Sequence, residues 1–189
     1  MFEIPQPSMA LNSDGVPPPD YRMWNTRKVD DTVVASDLIR NIASVADSAA
    51  DNYLRCIVFN SHGEPGRILM GTGIGRAETP VFSVLIGKVR TIVIVACRVG
   101  LIGQANTWKD GNLLCCEIAK NTQAHVFAAT DYQDTGAYTV IGLPMNMIDE
   151  FEGSVYKWAP DGSSRQVDNG YVQRWMHDMK MGIDPGGRK

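Results

Sequence analysis

Several absences limit what this chain of 189 residues can be. It has three histidines and four cysteines, with no C-x-x-C pair, so neither a zinc-knuckle site nor a dithiol redox motif is written into it. Cys115 and Cys116 are adjacent, and four cysteines in a chain this long do not make a disulfide scaffold. There is no basic run, and the formal net charge is −3, so capture of nucleic acid by counterion release has no footing. The longest apolar runs, such as Thr91–Cys97, fall far short of the ~20 residues that a membrane-spanning helix needs. The first residues, MFEIPQPSMALNSDGVPPPDY, show no positive n-region and no apolar h-region. A reducing, cytoplasmic setting is therefore expected, with export through a dedicated secretion machine left open.

What is present is ordinary for a globular domain: 44% hydrophobic and 21% charged residues. Residues 1–20, rich in Pro, Ser and Asn and ending in Pro17-Pro18-Pro19, read as a flexible arm. Residues 21–180 read as one domain, and the Gly-rich residues 181–189 as a flexible tail.

Within the domain, helix and strand signals alternate. Apolar residues at Leu38, Ile39, Ile42, Val45, Ala46, Ala49, Ala50 and Tyr53 give the stripe of an amphipathic helix over 36–54, with Ser36 able to cap it. Cys56-Ile57-Val58-Phe59 is too short for a helix and reads as a buried strand ending at Ser61-His62-Gly63. Arg67–Met70 suggests a small hairpin strand, and Thr79-Pro80 opens a short helix through about Gly87. Thr91–Cys97 is the strongest strand signal, followed by a helix over 111–121 and a strand over His125–Thr130. An edge strand over 153–158 and a helix over 171–180 complete the series. Near-continuous apolar strands separated by helices predict an α/β fold with a mostly parallel sheet covered on both faces.

In such a sheet a site forms beyond the carboxyl ends of the strands. His62 and Cys97 each follow a buried strand and stand 35 residues apart, the length of one crossover between neighbouring parallel strands. An imidazole beside a thiol can take its proton or stabilise the thiolate, which is the requirement for acyl transfer. The amides of Gly63 and Cys97 are the expected donors to an oxyanion. The remaining candidates read as structural: Cys56, Cys115 and Cys116 as core or helix-face cysteines, His125 and His177 as ordinary strand and helix residues. Gly71-Thr72-Gly73-Ile74-Gly75 lacks the G-x-G-x-x-G spacing of a nucleotide loop, and no Walker lysine accompanies it. No His, Cys or Asp group has metal-ligand spacing.

The blocks Ile57-Val58-Phe59-Asn60-Ser61-His62-Gly63 and Thr91-Ile92-Val93-Ile94-Val95-Ala96-Cys97 resemble the paired signatures of the caspase-like (clan CD) cysteine peptidases, in which one apolar strand ends in His-Gly and a later one in Ala-Cys. The nearest likeness, over roughly residues 35–160, is to bacterial CHAT-type domains, which carry Ser-His-Gly followed by a Gly-rich hairpin like Glu64–Gly71. The resemblance implies a three-layer caspase-like sandwich and a cysteine endopeptidase or self-processing peptidase. Its dyad would be His62 and Cys97, with no cofactor. A protein or peptide substrate is implied, and an activator or oligomeric partner can accompany it. Val95 stands where caspases have Gln, and Val99 rather than Gly follows Arg98, so the caspase pocket for aspartate does not carry over. Relatives that cleave after Arg or Lys use acidic pockets, a role that Asp131 or Asp134 could fill. A catalytically silent caspase-like fold serving as a protein–protein interaction module is the alternative.

Overall fold

Seven strands hydrogen-bond into one sheet in the computed structural model, which describes residues 1–103, 107, 109–134 and 142–186. The elements in chain order are β1 (Phe2–Glu3), β2 (Ser8–Ser13), β3 (Asn25–Val29), α1 (Ala35–Ser48), β4 (Leu54–Asn60), β5 (His62–Glu64) and β6 (Arg67–Leu69). A 3₁₀ segment (Arg76–Leu85) and β7 (Val89–Val95) follow. Then come α2 (Gly111–Thr122), β8 (His125–Ala129), β9 (Met147–Ile148), β10 (Val155–Trp158), β11 (Ser164–Val167) and α3 (Asn169–Lys180). The sheet order is β11-β10-β8-β7-β4-β2-β3. All pairings from β3 to β8 are parallel, and β10 and β11 form an antiparallel edge.

Two cores explain why the central strands read as unbroken apolar runs. Ile57, Phe59, Ile92, Ile94, Val126 and Ala128 point to one face, where they meet Leu38, Ile39 and Ile42 of α1, Phe82 and Leu85 of the 3₁₀ segment, and Leu114 and Ile118 of α2. Their alternate neighbours Cys56, Val58, Val93, Val95, Phe127 and Ala129 point to the other, against Val172, Trp175 and Met176 of α3 and against Phe2 and Tyr21. The result is the α/β architecture with helices on both faces of a mostly parallel sheet. Each fully buried Val, Leu, Ile or Phe contributes about 1.5–3 kcal/mol. Trp175 also ties α3 to the sheet through a 3.1 Å hydrogen bond from its indole to Thr91 Oγ1.

The expected arm over residues 1–20 is instead built into the fold. β2 is buried along its whole length and lies between β3 and β4. Its polar residues are the reason that hydropathy hides it. Asn12 accepts from the Tyr21 amide at 2.9 Å, donates to the Tyr21 carbonyl at 2.9 Å, and accepts from Asn60 Nδ2 at 2.9 Å. Ser8 donates to the Pro5 carbonyl at 2.5 Å. Buried polar atoms satisfied in this way are tolerated in a core. At the other end, the expected tail over 181–189 contributes Asp184, which pairs with the buried Arg90.

Smaller corrections concern helix starts. Val34, not Ser36, occupies the N-cap of α1 and makes no side-chain cap. The segment expected to open at Thr79-Pro80 begins at Arg76, with Glu78 Oε2 accepting from the Gly75 amide at 2.8 Å. α3 starts at Asn169, where Asp168 caps the Tyr171 amide at 2.6 Å.

Asn12→Ala strands the Tyr21 amide and the Asn60 side chain in the core, and is expected to cost on the order of 3 kcal/mol. Arg27→Ala on edge strand β3 is expected to stay within about 0.5 kcal/mol. Urea midpoints measure both; equal midpoints would show that the buried polar network of β2 is dispensable.

Candidate active site

Strands β4 and β7 are hydrogen-bonded neighbours, with Asn60 paired to Val95. His62 and Cys97 each lie two residues beyond that last pair, so one level of the sheet delivers both to its carboxyl edge. The Ser61 amide continues the contact, donating to the Val95 carbonyl at 3.2 Å.

Beyond the strands the two chains press together at Gly63. A Cβ there would lie 2.7 Å from the Cys97 carbonyl oxygen, 2.9 Å from Ala96 Cβ and 2.5 Å from Val99 Cγ2. Only glycine permits that approach. The Gly66 amide donates to the Val99 carbonyl at 3.3 Å, so the β5–β6 hairpin lies over the turn that carries the cysteine. That turn is held from its other side by the segment after β8. The Arg98 amide donates to the Asp131 carbonyl at 2.9 Å, and the Gly100 amide to the Ala129 carbonyl at 3.0 Å. Arg98 adopts the left-handed region, φ 57°, and its guanidinium stacks 5.4 Å from the Tyr132 ring centroid. A non-glycine residue in that region is held there by its surroundings.

The two candidate side chains are each fixed by a backbone partner. His62 is exposed, and its Nε2 lies 2.8 Å from the Gly15 carbonyl oxygen. A carbonyl only accepts, so Nε2 carries the proton and the basic lone pair resides on Nδ1. Beside the imidazole opens a cavity of about 350 Å³, lined also by Ser13, Asp31, Arg67 and Leu69. Cys97 is partly buried; its sulfur accepts from the Gln133 amide at 3.3 Å and lies 3.6 Å from the Gln133 carbonyl oxygen. Among the described residues no hydrogen bond joins imidazole to thiol.

The other cysteines behave as core. Cys56 and Cys115 are buried, and burial pushes both thiols well above their ordinary range. Cys116 lies 3.5 Å from the Gly162 carbonyl oxygen, away from Cys97. His125 packs edge-on against Trp175, centroids 4.7 Å apart.

Of the two acidic candidates, Asp131 uses its carboxylate locally. It accepts from the Thr130 hydroxyl at 3.0 Å and the Ser154 amide at 3.1 Å, which ties the start of β10 to the segment after β8. Asp134 is exposed, and its amide donates to Glu152 Oε2 at 3.3 Å. Sequence reasoning missed Gly15 and Gln133, whose contributions are backbone atoms and leave no side-chain signature.

Among the described residues, no three His, Cys, Asp or Glu side chains group in a way that could hold a metal ion, and no helix is long and apolar enough to cross a membrane. A scan against protein-family models finds no match to this chain, and neither does a search of curated proteins.

Gly63→Ala is expected to cost about 1–3 kcal/mol, because the Cys97 carbonyl opposes the new methyl together with the short Val99 and Ala96 side chains. At Gly75 the closest contact of a Cβ would be Glu78 Oε2 at 3.4 Å, so Gly75→Ala is expected to stay within about 0.5 kcal/mol. Urea denaturation of the two variants checks this, and equal midpoints would remove the close approach from the argument.

Proposed function

We propose that this chain is a cysteine peptidase of the caspase-like type, with Cys97 as nucleophile and His62 as general base and acid. One observation carries the reading: two adjacent parallel strands are followed at once by Ser61-His62-Gly63 and by Ala96-Cys97, and Gly63 packs directly on the Cys97 backbone. The resemblance of those two blocks to clan CD signatures points the same way. No cofactor is needed for this chemistry, and the partner is a protein or peptide.

The steps follow from the atoms. His62, with Nε2 engaged by Gly15, takes the Cys97 thiol proton on Nδ1. The thiolate attacks the peptide carbonyl, forming a C–S bond and placing negative charge on oxygen, where the amides of Gly63 and Cys97 serve as donors. The C–N bond then breaks as His62 returns its proton to the leaving amine. Water, deprotonated by His62, hydrolyses the thioester and frees Cys97. With the thiol held by Gln133 on one side and the imidazole by Gly15 on the other, the substrate carbonyl would enter between them. The same separation favours the second reading, a silent fold used for protein contact, in which the two side chains serve only their backbone partners.

A mixture of peptides incubated with the protein and read by mass spectrometry of new amino termini distinguishes the two. New termini are expected from the wild type and none from Cys97→Ala. His62→Ala is expected to fall by about 10²–10⁴-fold, the usual contribution of a positioned acid–base. Cleavage by Cys97→Ala equal to wild type would reject the nucleophile. No cleavage by any form would favour the silent fold.

A further inference from the structure

The antiparallel edge of the sheet carries two cations face to face. Lys157 of β10 and Arg165 of β11 are register partners, so their side chains stand directly opposite each other on one face of the hairpin. Like charges in that position repel and weaken a strand pair. Among the described residues neither forms a salt bridge with a carboxylate, whereas Lys28, Lys88 and Lys180 pair with Asp20, Asp47 and Glu3. Both turn instead to one neutral acceptor, the Tyr171 phenol oxygen. Arg165 Nη2 donates to it at 2.5 Å, and Lys157 Nζ lies 3.5 Å from it.

Aromatic rings of α3 hold both head groups in place. The Arg165 guanidinium lies 4.6 Å from the Tyr171 ring centroid, and Lys157 Nζ lies 4.1 Å from that of Trp175. Trp175 is itself buried and tied to Thr91. Beside the pair opens a cavity of about 150 Å³, lined by both side chains and by Ala159, Ser163 and Ser164. That is several times the ~30 Å³ share of a water molecule. Asp161, in the turn of the same hairpin, spends its carboxylate on the Ser163 amide and hydroxyl at 2.8 and 2.7 Å. What this corner lacks is an anion at Nζ.

The same geometry sets the state of the amine. Burial first, and then Arg165 and Arg90, bring the Lys157 pKa down to about 8, with Asp161 acting in the opposite sense. The indole face attracts an ammonium, but loss of solvent and the two guanidiniums outweigh it. The penalty on charged Lys157 is fully present below about pH 8 and fades towards the ordinary 10.5. A lysine desolvated beside another cation is a nucleophile at modest pH. Arg165, with five N–H donors and Nη2 committed to Tyr171, keeps the rest of its fork for an incoming oxyanion.

We propose that Lys157 is a carbon dioxide acceptor, forming a carbamate that Arg165 holds across the strand pair. The Nζ lone pair attacks the carbon of CO₂. An N–C bond forms, one C–O π pair moves onto oxygen, and the nitrogen gives its proton to water. A cation thereby becomes an anion, and a repulsive cross-strand pair becomes a charge-assisted one. The site stands or falls independently of the peptidase reading.

Trapping the adduct tests it. The full chain is equilibrated near pH 8 with isotope-labelled bicarbonate as the source of CO₂, alkylated with triethyloxonium, and mapped by peptide mass. A labelled ethyl carbamate is expected on Lys157 and not on Lys28, Lys88 or Lys180, which their carboxylates keep as ammoniums. Arg165→Gln is expected to lower the yield about 10-fold, the scale of one charge-assisted hydrogen bond. Its urea midpoint without bicarbonate is expected to be no lower than that of wild type, because a repulsion is removed. Bicarbonate is expected to raise the midpoint of wild type but not of Lys157→Arg, and sulfate at equal ionic strength to raise neither. No adduct on Lys157, adducts spread evenly over the four lysines, or an undiminished yield in Arg165→Gln would overturn the proposal. So would a lowered Arg165→Gln midpoint, which would deny the repulsion. A midpoint shift that sulfate reproduces, with no adduct, would replace the carbamate with a simple anion site.

Discussion

The parallel pairing of β4 with β7 is the constraint on which the rest depends. Both strands are buried on two faces, so neither can slip by one residue without turning a whole set of apolar side chains to the wrong core. Register fixed in this way also fixes chemistry, because the residues two places beyond Asn60 and Val95 must emerge together. Gly63 then closes the distance. With no side chain to separate them, the backbone after His62 rests on the carbonyl of Cys97. The remaining layers brace this junction: the β5–β6 hairpin from one side, the segment after β8 from the other, and the 3₁₀ segment and α2 beneath.

Neither candidate side chain is left to choose its own orientation. A carbonyl from the loop after β2 fixes the imidazole tautomer, and an amide from the loop after β8 fixes the sulfur. Such use of main-chain atoms places the demand on strand position rather than on residue identity, so three strands cooperate in one site. The same economy appears at Asn12, which joins β2, Tyr21 and β4 in a single buried knot.

How much of this was legible in the sequence depends on the kind of signal involved. β4, β7 and β8 announce themselves as apolar runs, and α1 as a stripe, because burial is what those patterns record. The positions of His62-Gly63 and Cys97 just beyond strand ends were legible for the same reason, since each stands where such a run stops. β2 was not, because Ser8, Asn12 and Ser13 break its hydropathy and the partners that satisfy them are invisible before folding. Asp131 and Asp134 were chosen by proximity along the chain to β8. In the folded chain the Asp131 carboxylate bonds locally, and the Asp134 amide meets Glu152 from farther along the chain. Spatial convergence of that sort has no sequence period to betray it.

The central claim is that His62 and Cys97 act as one unit, and the rate of cysteine alkylation by limiting iodoacetamide between pH 5 and 9, resolved by peptide mapping, addresses it most directly. Cys97 is expected to react faster than the other three cysteines, and to lose that advantage in His62→Ala. Cys56 and Cys115, whose thiols burial pushes up, are expected to stay silent until the protein unfolds. A Cys97 as slow as Cys56 in both proteins would contradict the dyad.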